Sequence, residues 1–118
     1  MTGVKTVLKH IIAGVAAAFV LAATPALAEN VAVKIDNFTF GPQEVKIKAG
    51  TSVTWTNGDD IPHTVVSPNS FRSKVMDTDG TFTFTFTTPG TYKYFCSLHP
   101  HMTGTIIVEA ATGSNTSP

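Results

Sequence analysis

Cys96-Ser97-Leu98-His99-Pro100-His101-Met102 packs one thiol, two imidazoles and one thioether into seven residues. Cys96 is the only cysteine of the 118-residue chain, so it cannot form an internal disulfide. Soft sulfur ligands beside imidazoles suit copper, and a trigonal His₂Cys set with a weak axial Met is the electron-transfer form of such a site. The spacing has a structural reason. A tight turn after Cys96 can swing the His99 imidazole back toward an ion held by the thiolate. Pro100 stiffens that turn by fixing its own backbone angle. Met102 comes three residues further on, just before Gly104. A fourth ligand must come from elsewhere, and His63, following Pro62, is the only histidine outside this stretch apart from His10.

Each of these residues also has a plainer reading. Free cysteine is often a buried, inert thiol. His63 read alone is equally a strand histidine or a ligand, and methionine usually packs, so Met102 and Met76 can both be core. His101, two residues after His99, is expected on a solvent-facing rim. A thiol nucleophile made of Cys96 and His99 lacks an evident orienting acid. Methionine is a poor zinc ligand, which counts against a structural zinc site.

The elements that must position these groups read as strands and turns. Val31, Val33 and Ile35 alternate with small or polar residues, as do Val45 with Ile47 and Val53 with Trp55. Asn57-Gly58-Asp59-Asp60 is rich in turn formers. A short β-branched run covers His63 to Ser67, and Thr81 to Thr87 alternates Phe82, Phe84 and Phe86 with threonines. Thr91 to Cys96 and Gly104 to Glu109 complete the series, with Ser67 to Gly80 readable as a loop, an edge strand or a helical turn. Short strands with turns between them predict an all-β antiparallel sandwich or barrel. Trp55 and the three phenylalanines are expected in the core.

The first 28 residues have a different character. Lys5 and Lys9 precede an apolar run of 13 residues, Ile11 to Ala23, and Ala26-Leu27-Ala28 follows Pro25. That order is expected of a secretory signal peptide cleaved after Ala28, and the run is shorter than the roughly 20 residues a membrane span needs. The domain is then expected over 29–109, with 110–118 a flexible tail. Loss of Lys5 and Lys9 leaves six basic residues against eight acids, a formal charge of −2. No basic stripe remains, which argues against nucleic acid and anionic membrane as partners. A lone cysteine in an oxidising compartment needs something to occupy it, which again points to a metal.

The chain resembles the cupredoxins, and within them the amicyanin-like branch. The matching stretches are Val45-Lys46-Ile47-Lys48-Ala49-Gly50-Thr51-Ser52-Val53-Thr54-Trp55, Pro62-His63, Pro89-Gly90-Thr91-Tyr92-Lys93-Tyr94-Phe95-Cys96, His99-Pro100 and Met102 with Gly104. The resemblance implies a Greek-key β-sandwich with one type 1 copper, His63, Cys96 and His99 as equatorial ligands and Met102 as the axial one. It implies a one-electron carrier rather than an enzyme, monomeric and periplasmic. Docking with redox partners would be transient, by analogy a periplasmic dehydrogenase and a c-type cytochrome. The alternative is a copper carrier or buffer that delivers Cu(I). The resemblance also implies that the His99 ring edge is the electron's exit, with Pro62 and Pro100 on the rim. Two residues depart from the family pattern. His101 stands where an aromatic is common, and Thr64 where an Asn often ties the ligand segments together. Thr64 still offers one hydroxyl for such a tie.

Overall fold

The computed structural model describes residues 29–111. The expected signal segment, residues 1–28, and the expected tail beyond Ala111 lie outside the described residues. The described residues form nine strands, of which β2 and β6 were not among the alternating stretches: β1 (Asn30–Asp36), β2 (Thr39–Gly41), β3 (Glu44–Lys48), β4 (Thr51–Asn57), β5 (Val66–Ser67), β6 (Phe71–Arg72), β7 (Thr81–Phe86), β8 (Gly90–Cys96) and β9 (His99–Glu109). They form two sheets, ordered β2-β1-β4-β7 and β3-β9-β8-β5-β6. Val33, Ile35, Val53, Trp55 and Phe86 from the first sheet share one buried cluster with Val45, Ile47, Tyr94, Ile106 and Val108 from the second. The architecture is therefore a β-sandwich with its core between the sheets.

Most pairings are antiparallel, as expected, but β1 runs parallel to β4 and β3 parallel to β9. Both sheets are thus mixed. The cause is the path of the chain, which leaves the first sheet after β2, adds β3 to the second and returns with β4. Parallel neighbours need a crossover, and here a strand of the opposite sheet supplies it. Alternation reports which face a side chain takes, not which way the neighbouring strand runs.

On the outward faces of β4 and β7, Thr54 meets Thr83 at 2.8 Å and Ser52 meets Thr85 at 2.6 Å through their hydroxyls. Inward, Trp55 is fully buried and meets Tyr94 edge-on with ring centroids 5.4 Å apart. Of the three phenylalanines, Phe86 is buried, whereas Phe82 and Phe84 are only partly covered. The reason is that β7 lies at an open edge of its sheet.

The irregular region resolves into a β5–β6 hairpin at the edge of the second sheet and a bridge between His63 and Met76. Tyr94 pairs across the ladder with Gly104, and a Cβ at Gly104 would overlap the phenol ring. Burial pushes the Tyr94 phenol up to about 12, against an opposing contribution from the Trp55 indole.

Candidate metal centre

The β8–β9 hairpin is tighter than the sequence suggests. The last strand begins at His99 rather than Gly104, so only Ser97 and Leu98 turn between Cys96 and its partner His99. The register then jumps to Phe95 opposite Thr103, which leaves Pro100, His101 and Met102 without partners across the ladder. Pro100 has no N–H to give that ladder. The resulting bulge separates His101, which is exposed, from Met102, which is buried in the core cluster.

His63 arrives from the other side. Its backbone N–H donates to Met76 O at 3.1 Å, and Met76 N–H returns a bond to His63 O at 2.9 Å. Asn57 fixes both loops involved. Its Oδ1 accepts from Asp59 N–H at 2.9 Å, and its Nδ2 donates to Ile61 O at 2.8 Å and Met76 O at 3.0 Å. Asn57 sits on the inward face of β4, in phase with Val53 and Trp55, and is fully buried. A buried amide must find partners; that inward phase is the signal by which the sequence could have marked it.

The three candidate ligand atoms of His63, Cys96 and His99 lie within 4.8 Å of one another. Cys96 Sγ is 3.6 Å from His63 Nδ1 and 3.6 Å from His99 Nδ1. An ion centred in a trigonal N₂S set, with bonds of about 2.0 and 2.3 Å, separates nitrogen from sulfur by about 3.7 Å. The spacing therefore fits a first-row ion of that size, and the thiolate with two imidazoles suits copper. His63 and Cys96 are fully buried, while His99 is half-buried.

Asp59 was readable only as a turn residue, yet it is the orienting group for His63. Its Oδ2 lies 2.8 Å from His63 Nε2. An Nε2–H given to the carboxylate leaves the Nδ1 lone pair aimed toward the sulfur. Asn37 N–H donates to Asp59 Oδ1 at 2.6 Å, and Phe38 N–H to Oδ2 at 2.9 Å. Burial alone would raise the Asp59 carboxyl, but the Phe38 amide, the His63 ring and the Asn37 amide hold it below the usual range.

Asn37 and Phe38 both have positive φ, at 52° and 61°. A bulky residue in that region is uncommon and needs outside support, which the two bonds to Asp59 supply. The Phe38 ring is 47% exposed and stands edge-on to both imidazoles, with centroids 5.4 Å from His63 and 5.1 Å from His99.

Thr64 ties the two ligand segments. Its N–H donates to Cys96 Sγ at 3.3 Å, and its Oγ1 accepts from Ser97 N–H at 2.7 Å. Burial would raise the Cys96 thiol. The Thr64 amide, both imidazoles and the Thr64 hydroxyl bring it down to about 6 instead.

The family model for a cupredoxin-like domain matches residues 10–108. The chain belongs to the cupredoxin-like family. It is 40% identical to an amicyanin of Paracoccus versutus over 95 residues, covering 75% of this chain and 72% of that one. It is 37% identical to amicyanin-alpha of Methylorubrum extorquens, covering 82% of this chain and 87% of that one. Among solved structures, the Cu(I) form of a mutant amicyanin superposes with a TM-score of 0.66 at 30% identity, covering 71% and 86%. Three of the four residues expected as ligands in this cupredoxin-like chain, His63, Cys96 and His99, thus converge, and Met102 is buried in the core; of the groups that orient them, only Thr64 was legible in the sequence.

Proposed function

We infer that this cupredoxin-like protein is a blue-copper carrier of single electrons, with His63, Cys96 and His99 as equatorial ligands and Met102 as the axial one. The observation that carries the reading is the convergence of one thiolate and two Nδ1 atoms at spacings suited to a trigonal ion. Copper bound there would supply a one-electron Cu(I)/Cu(II) couple. The protein's own part is to hold the ligands in one arrangement through both states, so that little has to move on transfer. His63 is held by Asp59, Cys96 by Thr64, and both are shut away from water.

His99 is the one candidate ligand whose ring approaches the surface, and it serves as the electron's exit. Phe38, Leu98, Pro62 and Pro100 are exposed around it. A small apolar rim suits the brief contacts of redox partners. By analogy these are a periplasmic dehydrogenase and a c-type cytochrome. The first 28 residues act as an export signal and place the carrier in the periplasm, where it works as a monomer. No helix among the described residues is long and apolar enough to cross a membrane.

Cu(II) added to the purified protein tests the reading. An intense thiolate-to-copper absorption band that bleaches and returns reversibly on redox cycling is the expected result. A protein that binds Cu(I) tightly but forms no stable Cu(II) state would instead be a copper-delivery protein.

A further inference from the structure

Thr64 presents a hydrogen-bonding choice that its geometry resolves. Its Oγ1 lies 2.7 Å from Ser97 Oγ, accepts Ser97 N–H at 2.7 Å, and reaches Cys96 Sγ at 3.7 Å. A hydroxyl has one proton to give. In one arrangement Thr64 gives it to Ser97, and the sulfur keeps only the Thr64 N–H. In the other, Ser97 gives its own proton to Thr64, and the Thr64 proton goes to the sulfur.

Three considerations select the second arrangement. A hydrogen bond to a charged acceptor is stronger than one between neutral hydroxyls, and a cysteine sulfur that holds a metal is a thiolate. Ser97 is exposed, so water can serve its oxygen, whereas the sulfur and Thr64 are buried. Donation from Ser97 through Thr64 to Cys96 also runs head to tail, so that each bond polarises the next.

We propose that Ser97 orients the Thr64 hydroxyl as a second hydrogen-bond donor to the Cys96 sulfur, and that this bond raises the reduction potential of the metal held there. The inference rests on the copper reading above. The sulfur carries more negative charge when the metal is reduced, because it then gives away less electron density. A donor aimed at it therefore favours the reduced state. Thr64 and Ser97 are positioning and tuning residues and touch no metal themselves.

The test compares copper-loaded Thr64→Val, Thr64→Ser and Ser97→Ala with the parent, reading the midpoint potential and the sulfur-to-copper band. Thr64→Val is expected to shift the Cu(I):Cu(II) ratio about tenfold toward Cu(II), which is about 59 mV for a one-electron couple, and to move the band. Thr64→Ser restores the parent value to within about twofold, which a merely space-filling role for Thr64 does not require. Ser97→Ala leaves the potential at or below the parent's. The proposal is overturned if Thr64→Val keeps the parent potential. It is equally overturned if Ser97→Ala raises the potential, because that shows a hydroxyl freed from Ser97 turning to the sulfur for the first time. Should Thr64→Val fail to give a cooperative melt, the other two variants decide by the same signs. A parent protein with no sulfur-to-copper band would sink the copper reading itself. A blue parent with an unmoved Thr64→Val sinks this inference alone.

Discussion

The two segments that carry the candidate ligands are held in opposite ways. His63 is fully buried and fixed from two loops of the interior: Asp59 at its ring, Met76 at its backbone, and Asn57 behind both. Cys96, His99 and Met102 lie within one hairpin whose turn is only Ser97-Leu98, and Leu98 is 48% exposed. One side is anchored by the interior, the other by a short local turn. The difference teaches a division of labour. The buried side sets where an ion must sit, and the hairpin side presents it to partners.

Cys96 belongs to both sides, and its loss should have the largest effect. Cys96→Ala is expected to abolish the thiolate-to-copper band completely, read by visible absorption after Cu(II) addition. Next in size is a direct contrast between the two sides. Asp59→Ala removes the carboxylate that orients His63 and should weaken copper affinity about 10–100-fold, as outer-shell partners of metal ligands typically do. Leu98→Ala, on the exposed turn, should change it by less than about twofold, since surface substitutions away from special features cost little. Competition with a chelator measures both, and equal losses would break the comparison.

A smaller effect concerns the metal-free protein. Folding holds the Cys96 thiol at about 6, below its ordinary 9.0. That contribution to stability is fully present above about pH 9 and lost as pH falls through 6. The melting temperature of the metal-free protein should therefore climb between these values, and the climb should flatten in Cys96→Ala. Phe38→Ala should give the smallest change. It strips an apolar face from the rim, slowing electron exchange with a partner a few-fold while leaving copper affinity near the parent's, as expected if the rim serves encounter rather than binding. A large loss of affinity would show that the Phe38 ring helps fix the imidazoles.

What the sequence made legible follows the same division. Cys96 and His99 are close in the chain, so spacing and turn chemistry suffice to bring them together, whereas Met102 was marked by the family resemblance. The strands were legible because alternation marks an inward face, and Trp55 and Phe86 kept it. Asp59 was not legible as a partner of His63. Its role depends on a turn closed by Asn57 and on amides of Asn37 and Phe38, more than twenty residues away. Thr64 and Ser97 meet across 33 residues, so their bond exists only once the sandwich is closed. The parallel pairs were hidden for the same reason, since strand direction is set by the path of the chain between sheets. The early start of the last strand at His99 depends on a bulge that no periodicity announces.

Gly104 under the ring of Tyr94 has a consequence for assembly. The ring occupies the space a side chain at that position would need, so the hairpin can close only with this pair face to face. A slip of the strand by two places would set the phenol against Met102 or Ile106, both buried side chains with no room to spare. The fit works as a key in its slot. It fixes the register of the ladder from within the core as far as Phe95 and Thr103, the last pair before the bulge that carries the ligand turn.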